Sequence, residues 1–171
     1  MVINVIGLGN SAHRYNGKGI SIGVNDCWSI HPCDYVVCVD KPERFNDEPD
    51  RLVTIKASKP ILFFSHLDEW MFMNGFIQMN LASHRGDLSE IDTKYPYSIS
   101  SSYCAVGIAY KLGAKQIDIY GVDMNDHKTI KDAIKDSEVR RFRELFKVLQ
   151  GKGVRVRVTK ESVLSEFIKS F

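Results

Sequence analysis

The sequence contains few cysteines, few prolines and no long apolar run. Only four of its 171 residues are cysteine and five are proline. The cysteines form no Cys-x-x-Cys pair, which argues against a zinc site or a thioredoxin-like motif. No apolar run approaches the roughly 20 residues that a membrane-spanning helix needs, so we expect no membrane span. The chain opens on a strand-like segment rather than on a basic and then apolar leader, so we expect a cytoplasmic protein with reduced thiols.

An excess of one charge sign is also absent. The 23 basic and 21 acidic residues leave a net charge of +2, which gives no support for nucleic-acid binding. One arginine-rich group lacks the interleaved aromatic residues of a nucleic-acid site, so we interpret it as a solvated surface. It consists of Arg140, Arg141, Arg143, Arg155 and Arg157. A composition of 44% hydrophobic and 26% charged residues is typical of a globular protein, and residues 1–171 suffice for a single domain.

Short apolar segments that alternate with helical patterns predict the fold. Strands are predicted at residues 2–6, 20–24, 34–40, 60–65, 116–121 and 154–158, the last at an edge with one wet face. Helices are predicted around residues 105–112, 139–149 and 162–171, with one or two helical turns after the first strand. Residues 66–97 carry no motif and are expected to be a flap or insertion, with a short hairpin or a mobile flap as the alternatives. This order predicts an α/β protein, a Rossmann-like three-layer sandwich with a mostly parallel central sheet.

Polar residues follow four of the predicted strands at the point where each strand ends. They are residues 7–11, Asn25-Asp26, Asp40 and residues 121–123. In a parallel sheet the carboxyl ends of the strands share one edge, and ligands bind in the crevice outside that edge. The sequence therefore predicts a ligand site there.

The turn after the first strand, Gly7-Leu8-Gly9-Asn10-Ser11, suits a phosphate-containing ligand. Glycine lets the backbone bend and lets a ligand approach bare N–H groups, and Asn10 or Ser11 is a suitable cap for a short helix. With Ala12 the turn also fits the G-x-G-x-x-G/A pattern, and Asp26 lies near the distance expected of a ribose-binding acid. Residues 12–19 are too few for a standard crossover helix, however, so NAD is not favoured.

Several short motifs, in order, resemble one family. The glycine turn, Asn25 at the second strand end, Ser100-Ser101-Ser102 before a helix, and Gly121-Val122-Asp123 are similar to motifs of the small bacterial sialyltransferases. These have a single Rossmann-like nucleotide domain. Archaeal 6-hydroxymethyl-dihydropterin diphosphokinases resemble the pattern too, and Asp40 looks more like them, because the transferases carry Asn there. The resemblance covers the N-terminal third and residues 98–171.

The resemblance implies binding of a nucleotide or nucleotide-sugar, with a CMP-type ligand favoured, and glycosyl transfer if the chain is an enzyme. The residues that it assigns to nucleotide binding are Gly7, Gly9, Asn10, Ser11, Asn25, Asp40, Ser101, Ser102, Gly121 and Asp123.

Two departures from the family leave the activity open. The transferases carry a phosphate-binding Tyr where this chain has Asn125, and their catalytic His lies in a lid-like insertion that is missing here. His127 is the one histidine of the corresponding segment. It is a candidate general base, because an imidazole pKa of roughly 6.5 suits proton transfer near neutrality, or else an exposed loop residue. His13, beside the glycine turn, is either a phosphate contact or a surface residue.

Two alternative functions follow. Asp40, Asp123 and Asp126 could together hold Mg²⁺, which would favour a pterin-type diphosphokinase, although Asp also often caps helices. The other alternative is a non-catalytic ligand-binding or interaction module of the same fold. No oligomeric state is predicted.

Overall fold

The computed structural model describes residues 1–41, 51–57, 60–124 and 132–171. Its centre is a seven-stranded sheet in the order β5-β4-β3-β2-β1-β6-β7, with every neighbouring pair parallel. The strands are β1 (Val2–Ile6), β2 (Ile20–Val24), β3 (Tyr35–Cys38), β4 (Ile61–Phe64), β5 (Ile77–Gln78), β6 (Gln116–Tyr120) and β7 (Arg155–Val158). The predicted α/β fold with a parallel central sheet is confirmed, and β7 lies at an edge.

Helices cover both faces of this sheet. They are α1 (Arg51–Ala57), α2 (Glu69–Met73), α3 (Ser101–Lys111) and α4 (Asp132–Gly151), with 3₁₀ turns at Asn10–Arg14, Asn25–Ser29 and Val163–Glu166. On one face α3 packs against α4, where Tyr103 meets Phe142 edge to face at 5.4 Å between ring centroids. On the other face Ile55 of α1 and Met71 of α2 pack against Phe64. Among the described residues no helix has both the length and the apolar character needed to cross a bilayer.

Side-chain alternation along the strands explains why the sheet has a hydrophobic core on each of its two faces. Ile3 and Val5 point toward α3, whereas Ile6 points to the opposite face and packs with Ala12 and Tyr15 of the first 3₁₀ turn. Successive side chains of a strand face opposite sides, so an apolar strand needs a cover on both. The Val/Ile runs of the sequence therefore predict the strands well.

Residues 66–97 contribute a helix and an edge strand to the fold. They include α2 and β5, and they place Met79 and Ile91 in the main core. Of the two alternatives expected for this segment, the short hairpin is wrong for the described residues, because β5 pairs in parallel with β4 and Leu81 pairs in parallel with Tyr95. Whether part of this segment closes over a ligand stays a prediction.

The chain end differs from the predicted helix over residues 162–171. After the 3₁₀ turn at Val163–Glu166, Ser170 pairs in parallel with Val158 of the edge strand. The N–H of Phe171 donates to the Val158 carbonyl at 3.0 Å, and the Val158 N–H donates to the Lys169 carbonyl at 3.1 Å. An edge strand offers unpaired N–H and C=O groups, and bonding them favours an extended tail over further helix.

Candidate functional site at the carboxyl edge of the sheet

The strand order reverses beside β1. The chain passes from β1 through β2, β3 and β4 to β5 on one side, and then returns to place β6 on the other side of β1. Such a switch point opens a crevice beyond the carboxyl ends of the strands. Parallel strands lie roughly 4.8 Å apart, so the ends of β6, β1 and β2 span about 10 Å. The predicted site residues that fall within the described ranges lie at this edge.

The two glycines after β1 allow close contact with the segment after β6. The N–H of Gly7 donates to the Tyr120 carbonyl at 2.8 Å, and that of Gly9 donates to the Gly121 carbonyl at 2.7 Å. A Cβ at Gly7 would lie 2.2 Å from the Gly121 oxygen, and one at Gly9 would lie 2.7 Å from Asp123 Oδ2. Both glycines are therefore required by the chain's own backbone, a reason that the sequence interpretation of an open cradle missed.

Ser11 and Asp123 join the β1 and β6 ends through a saturated hydrogen-bond network. Ser11 is 1% exposed, and its N–H donates to Asp123 Oδ2 at 2.8 Å while its hydroxyl donates to Asp123 Oδ1. The Ser11 oxygen in turn accepts from the Gly121 N–H at 2.9 Å. Its remaining partner, at 2.8 Å, is Thr159 Oγ1, which acts as the donor because the Ser11 proton is already committed.

Thr159 is a network member that sequence reasoning missed. It is fully buried and directly follows β7. Its position could have identified it, because Thr159 is a polar residue that follows a strand, as Ser11 and Asp123 are. We define Ser11, Gly121, Asp123 and Thr159 as the closed junction.

A second group joins the ends of β2 and β3 to the start of α3. Ser101 donates from its hydroxyl to Asn25 Oδ1 at 2.8 Å and accepts from the Val39 N–H at 3.1 Å. The Asn25 Nδ2 amide takes part in no hydrogen bond in the described part of the chain. Half-buried Asp40 comes two residues after β3 on the same edge. We define Asn25, Ser101 and Ser102 as the open junction.

Backbone conformation also singles out this edge. Among the described residues the non-glycine residues with positive φ are Asn25, at 49°, and Met124, at 61°. They follow β2 and β6 respectively. Left-handed backbone is tolerated by Asn but is unusual for a long side chain, and such residues cluster at functional sites. Met124 is a second position that sequence reasoning missed, since φ cannot be read from a methionine.

The N-terminus of α3 adds backbone N–H donors to the open junction, and the described residues provide no acceptor for the first of them. Ser101 and Ser102 in its first turn are 6% and 9% exposed, and the N-cap Ser100 makes no side-chain cap bond. No acidic residue lies in this first turn. The first N–H groups of a helix lack intrahelical acceptors and carry partial positive charge, which suits an anion.

Two tyrosines behind the glycine turn, buried Tyr15 and half-buried Tyr120, add no negative charge. Tyr15 and Tyr120 pack edge to face at 5.5 Å. Burial raises the pKa of each above the ordinary value, so both hydroxyls are neutral at neutral pH. His13 is exposed and shares a hydrogen bond with the Asn10 carbonyl of its own turn, while the Asn10 side chain is exposed.

The described residues do not form a metal site. Over residues 1–41, 51–57, 60–124 and 132–171 no three His, Cys, Asp or Glu side chains come close enough to hold an ion. Both Asp123 oxygens already accept from Ser11. The predictions for Asp126, His127 and Asn125 concern positions outside the described residues.

Known proteins match this chain in structure and not in sequence. No protein-family model matches the sequence, and neither does any curated protein. The sialyltransferase CstII from Campylobacter jejuni, solved with cytidine-5'-monophosphate, gives a TM-score of 0.60 at 15% identity. That match covers 99% of this chain and 84% of CstII.

Two further CstII structures match similarly. One, solved with CMP-3FNeuAc, has a TM-score of 0.59 at 16% identity and covers 99% of this chain and 84% of that one. Another, with a trisaccharide acceptor and CMP, has a TM-score of 0.61 at 15% identity and covers 99% and 86%. At such identities the likeness is one of fold.

Proposed function

We propose that this chain binds a CMP-type nucleotide or nucleotide-sugar at the open junction and acts as a sialyltransferase-like glycosyltransferase. The observation that carries the proposal is a group of hydrogen-bond donors at the carboxyl edge, formed by Asn25 Nδ2 and the first N–H groups of α3, for which the described residues supply no acceptor. The closed junction holds the glycine turn beside this group and acts as its support.

Asn25 is suited to recognising a base or ribose. Its left-handed backbone, at φ 49°, carries a conformational cost of about 1 kcal/mol or more. The Ser101 hydroxyl donates to Asn25 Oδ1 and so fixes the orientation of the side-chain amide. Because the amide is planar, the direction of the Nδ2 donor is fixed as well. A cytosine base and a ribose both present oxygen or nitrogen acceptors that such a donor can bind. A side chain held in advance loses less entropy when the ligand arrives.

The first turn of α3 is suited to the phosphate. Ser101 and Ser102 offer backbone N–H groups, and Ser102 adds a hydroxyl at the same end. Helix N-termini stabilise negative charge through these groups and the helix dipole. Because α3 packs against β1, β2 and β3, its start is fixed relative to Asn25. Exposed Asn10, in the turn after β1, lies at the same carboxyl edge of the sheet.

The structural comparisons favour a cytidine nucleotide over other nucleotides. The matching CstII structures were solved with CMP, with CMP-3FNeuAc and with CMP plus a trisaccharide acceptor. In a glycosyl transfer of this class an acceptor hydroxyl attacks the anomeric carbon, the bond to CMP breaks, and CMP leaves with the bonding electrons. His127 is our candidate for the base that takes the hydroxyl proton.

The binding test is titration calorimetry with CMP, CMP-sialic acid, UMP and AMP, each with Mg²⁺ or with EDTA. We expect CMP and CMP-sialic acid to bind without Mg²⁺. Asn25→Asp keeps the shape but replaces the donor by a charged acceptor, so CMP affinity should fall at least about tenfold. Asn16→Asp is the matched control, because Asn16 is exposed and its Oδ1, which an Asp retains, accepts from the Lys18 N–H. Equal CMP affinity in both variants would remove Asn25 from the site.

The transfer step is tested separately in the same preparations. CMP-sialic acid is incubated with sugar acceptors and released CMP is measured, with His127→Ala alongside. We expect release by the wild type and a loss of about 100-fold or more in the variant. Unchanged release would exclude His127 as the base, and binding without any release would support the non-catalytic alternative.

A further inference from the structure

Two cysteines meet beside β2, on the face opposite α3. Cys27 lies in the 3₁₀ turn Asn25–Ser29 and is fully buried, and Cys33 is half-buried six residues later. They occupy the space left by Gly23 of β2. A Cβ at Gly23 would lie 2.5 Å from Cys33 Sγ, and both cysteine Cβ atoms lie within 3.4 Å of that same point.

The turn between the two cysteines brings them together. The N–H groups of Ile30 and His31 both donate to the Cys27 carbonyl at 2.9 Å, which folds the chain back after Cys27. A protonated Cys33 thiol donates to the His31 carbonyl at 3.2 Å. A disulfide requires Cβ atoms roughly 3.5–4.5 Å apart, and the shared space over Gly23 is compatible with that separation.

The two sulfurs are chemically unequal. A hydrogen bond from the Cys27 thiol lowers the pKa of Cys33, and the same bond together with burial raises that of Cys27. Cys33 is therefore the more acidic thiol of the pair, and it is also the more accessible sulfur. Reactive cysteines combine thiolate character with access.

We propose that Cys27 and Cys33 form a reversible disulfide by exchange with small disulfides such as oxidised glutathione. The Cys33 thiolate attacks one sulfur of the reagent, so that a mixed disulfide forms and one glutathione thiolate leaves. Cys27 then loses its proton and attacks the Cys33 sulfur, and the second glutathione leaves. Two protein thiols are oxidised to one disulfide, and the reagent is reduced to two thiols, which take up the protons.

Cys104 provides an internal control. It lies in α3 on the opposite face of the sheet, is fully buried, and has its pKa raised to about 12 by that burial. It lacks the access of Cys33, and burial raises its pKa whereas the pKa of Cys33 is lowered. Under native conditions it should react far more slowly than Cys33 with the same reagent.

The experiment treats the reduced, folded protein with oxidised glutathione, quenches it with acid, and alkylates the remaining thiols after unfolding. Chymotrypsin cleaves after Trp28 and Tyr35, which puts Cys27, Cys33 and Cys38 on separate peptides. We expect a Cys27–Cys33 cross-linked pair that dithiothreitol reverses. Cys33 should disappear at least about tenfold faster than Cys104.

Two variants resolve the order of the steps. In Cys27→Ala the mixed glutathione disulfide should remain on Cys33, and in Cys33→Ala the buried Cys27 should stay unmodified. Circular dichroism and thermal melting check that each variant is folded, and the wild-type peptide map decides the proposal if either is not. A link to Cys38, equal rates for Cys33 and Cys104, or no cross-linked pair overturns the proposal.

Discussion

The two junctions at the carboxyl edge both contain buried serines but differ in how their hydrogen bonds are used. At the closed junction both Asp123 oxygens and all three capacities of the Ser11 hydroxyl are engaged by the chain itself. At the open junction the Ser101 hydroxyl donates to Asn25 Oδ1, and the Asn25 Nδ2 amide has no acceptor among the described residues.

This difference indicates that the closed junction stabilises the fold, whereas the open junction is suited to binding a ligand. A buried polar group with every bond satisfied holds two strand ends together, and removing one member leaves its partners without bonds in a dry setting. An amide whose oxygen is fixed by the protein and whose N–H donors have no acceptor among the described residues is arranged to bind a ligand. Mutations at the closed junction should therefore change stability, and mutations at the open junction should change ligand affinity.

The largest expected effect is at Asp123. In Asp123→Ala the buried N–H and hydroxyl of Ser11 lose their acceptor, so the free energy of unfolding should fall by about 3 kcal/mol. Urea denaturation measures it. Asp34→Ala is the matched control, because Asp34 also accepts from the N–H and hydroxyl of one serine, Ser21, but is itself exposed. Its loss should stay below about 1.5 kcal/mol. Equal losses would mean that burial of the closed junction contributes nothing.

The next effect is steric. Gly7→Ala would place a Cβ 2.2 Å from the Gly121 carbonyl oxygen, and backbone cannot move aside as a flexible side chain can. We expect a loss of about 2–3 kcal/mol in the free energy of unfolding. Gly151→Ala, where a Cβ would meet nothing within 4 Å, should be neutral or stabilising by up to about 1 kcal/mol. A stable Gly7→Ala protein with lost CMP binding would instead support the open phosphate cradle read from the sequence.

The smallest effect on stability is expected at Asn25. In Asn25→Gly the relief of the left-handed backbone offsets the lost bond from Ser101, so unfolding should become easier by no more than about 1 kcal/mol. CMP affinity should nevertheless fall, because the Nδ2 donor is gone. Paired urea and calorimetric titrations measure both quantities. A loss of several kcal/mol in the free energy of unfolding would mean that Asn25 stabilises the fold, as the closed junction does.

Strands and main helices followed from local patterns, whereas several boundaries did not. The apolar runs at residues 2–6 and 20–24 and the amphipathic pattern at 139–149 predicted β1, β2 and the core of α4, because burial requires those periods. α3 begins at Ser101, four residues before the first apolar residue used to predict it, and residues 101–109 are buried on all sides. That burial arises from the neighbours of α3, such as Pro96 against Gly107.

For the candidate site, the sequence predicted that polar residues gather at the carboxyl edge, but it did not predict which of them bond to one another. Asn25 and Ser101 were singled out separately, yet the bond between them joins positions 76 residues apart. Thr159 was missed because a single threonine after a strand has no distinguishing pattern. Gly9 was predicted to allow the close approach of a ligand, whereas the groups that lie against it in the structure are the Asp123 carboxylate and the Gly121 carbonyl.

The amino-acid sequence by itself determined the parallel α/β architecture and the collection of polar residues at strand ends, because both depend on periodicity and turn chemistry within short stretches. Only the tertiary structure decided which of those residues are satisfied by one another and which retain an unused donor. Hydrogen bonding between Ser11 and Asp123, 112 residues apart, depends on strand order and register, and these are set by the packing of the whole sheet.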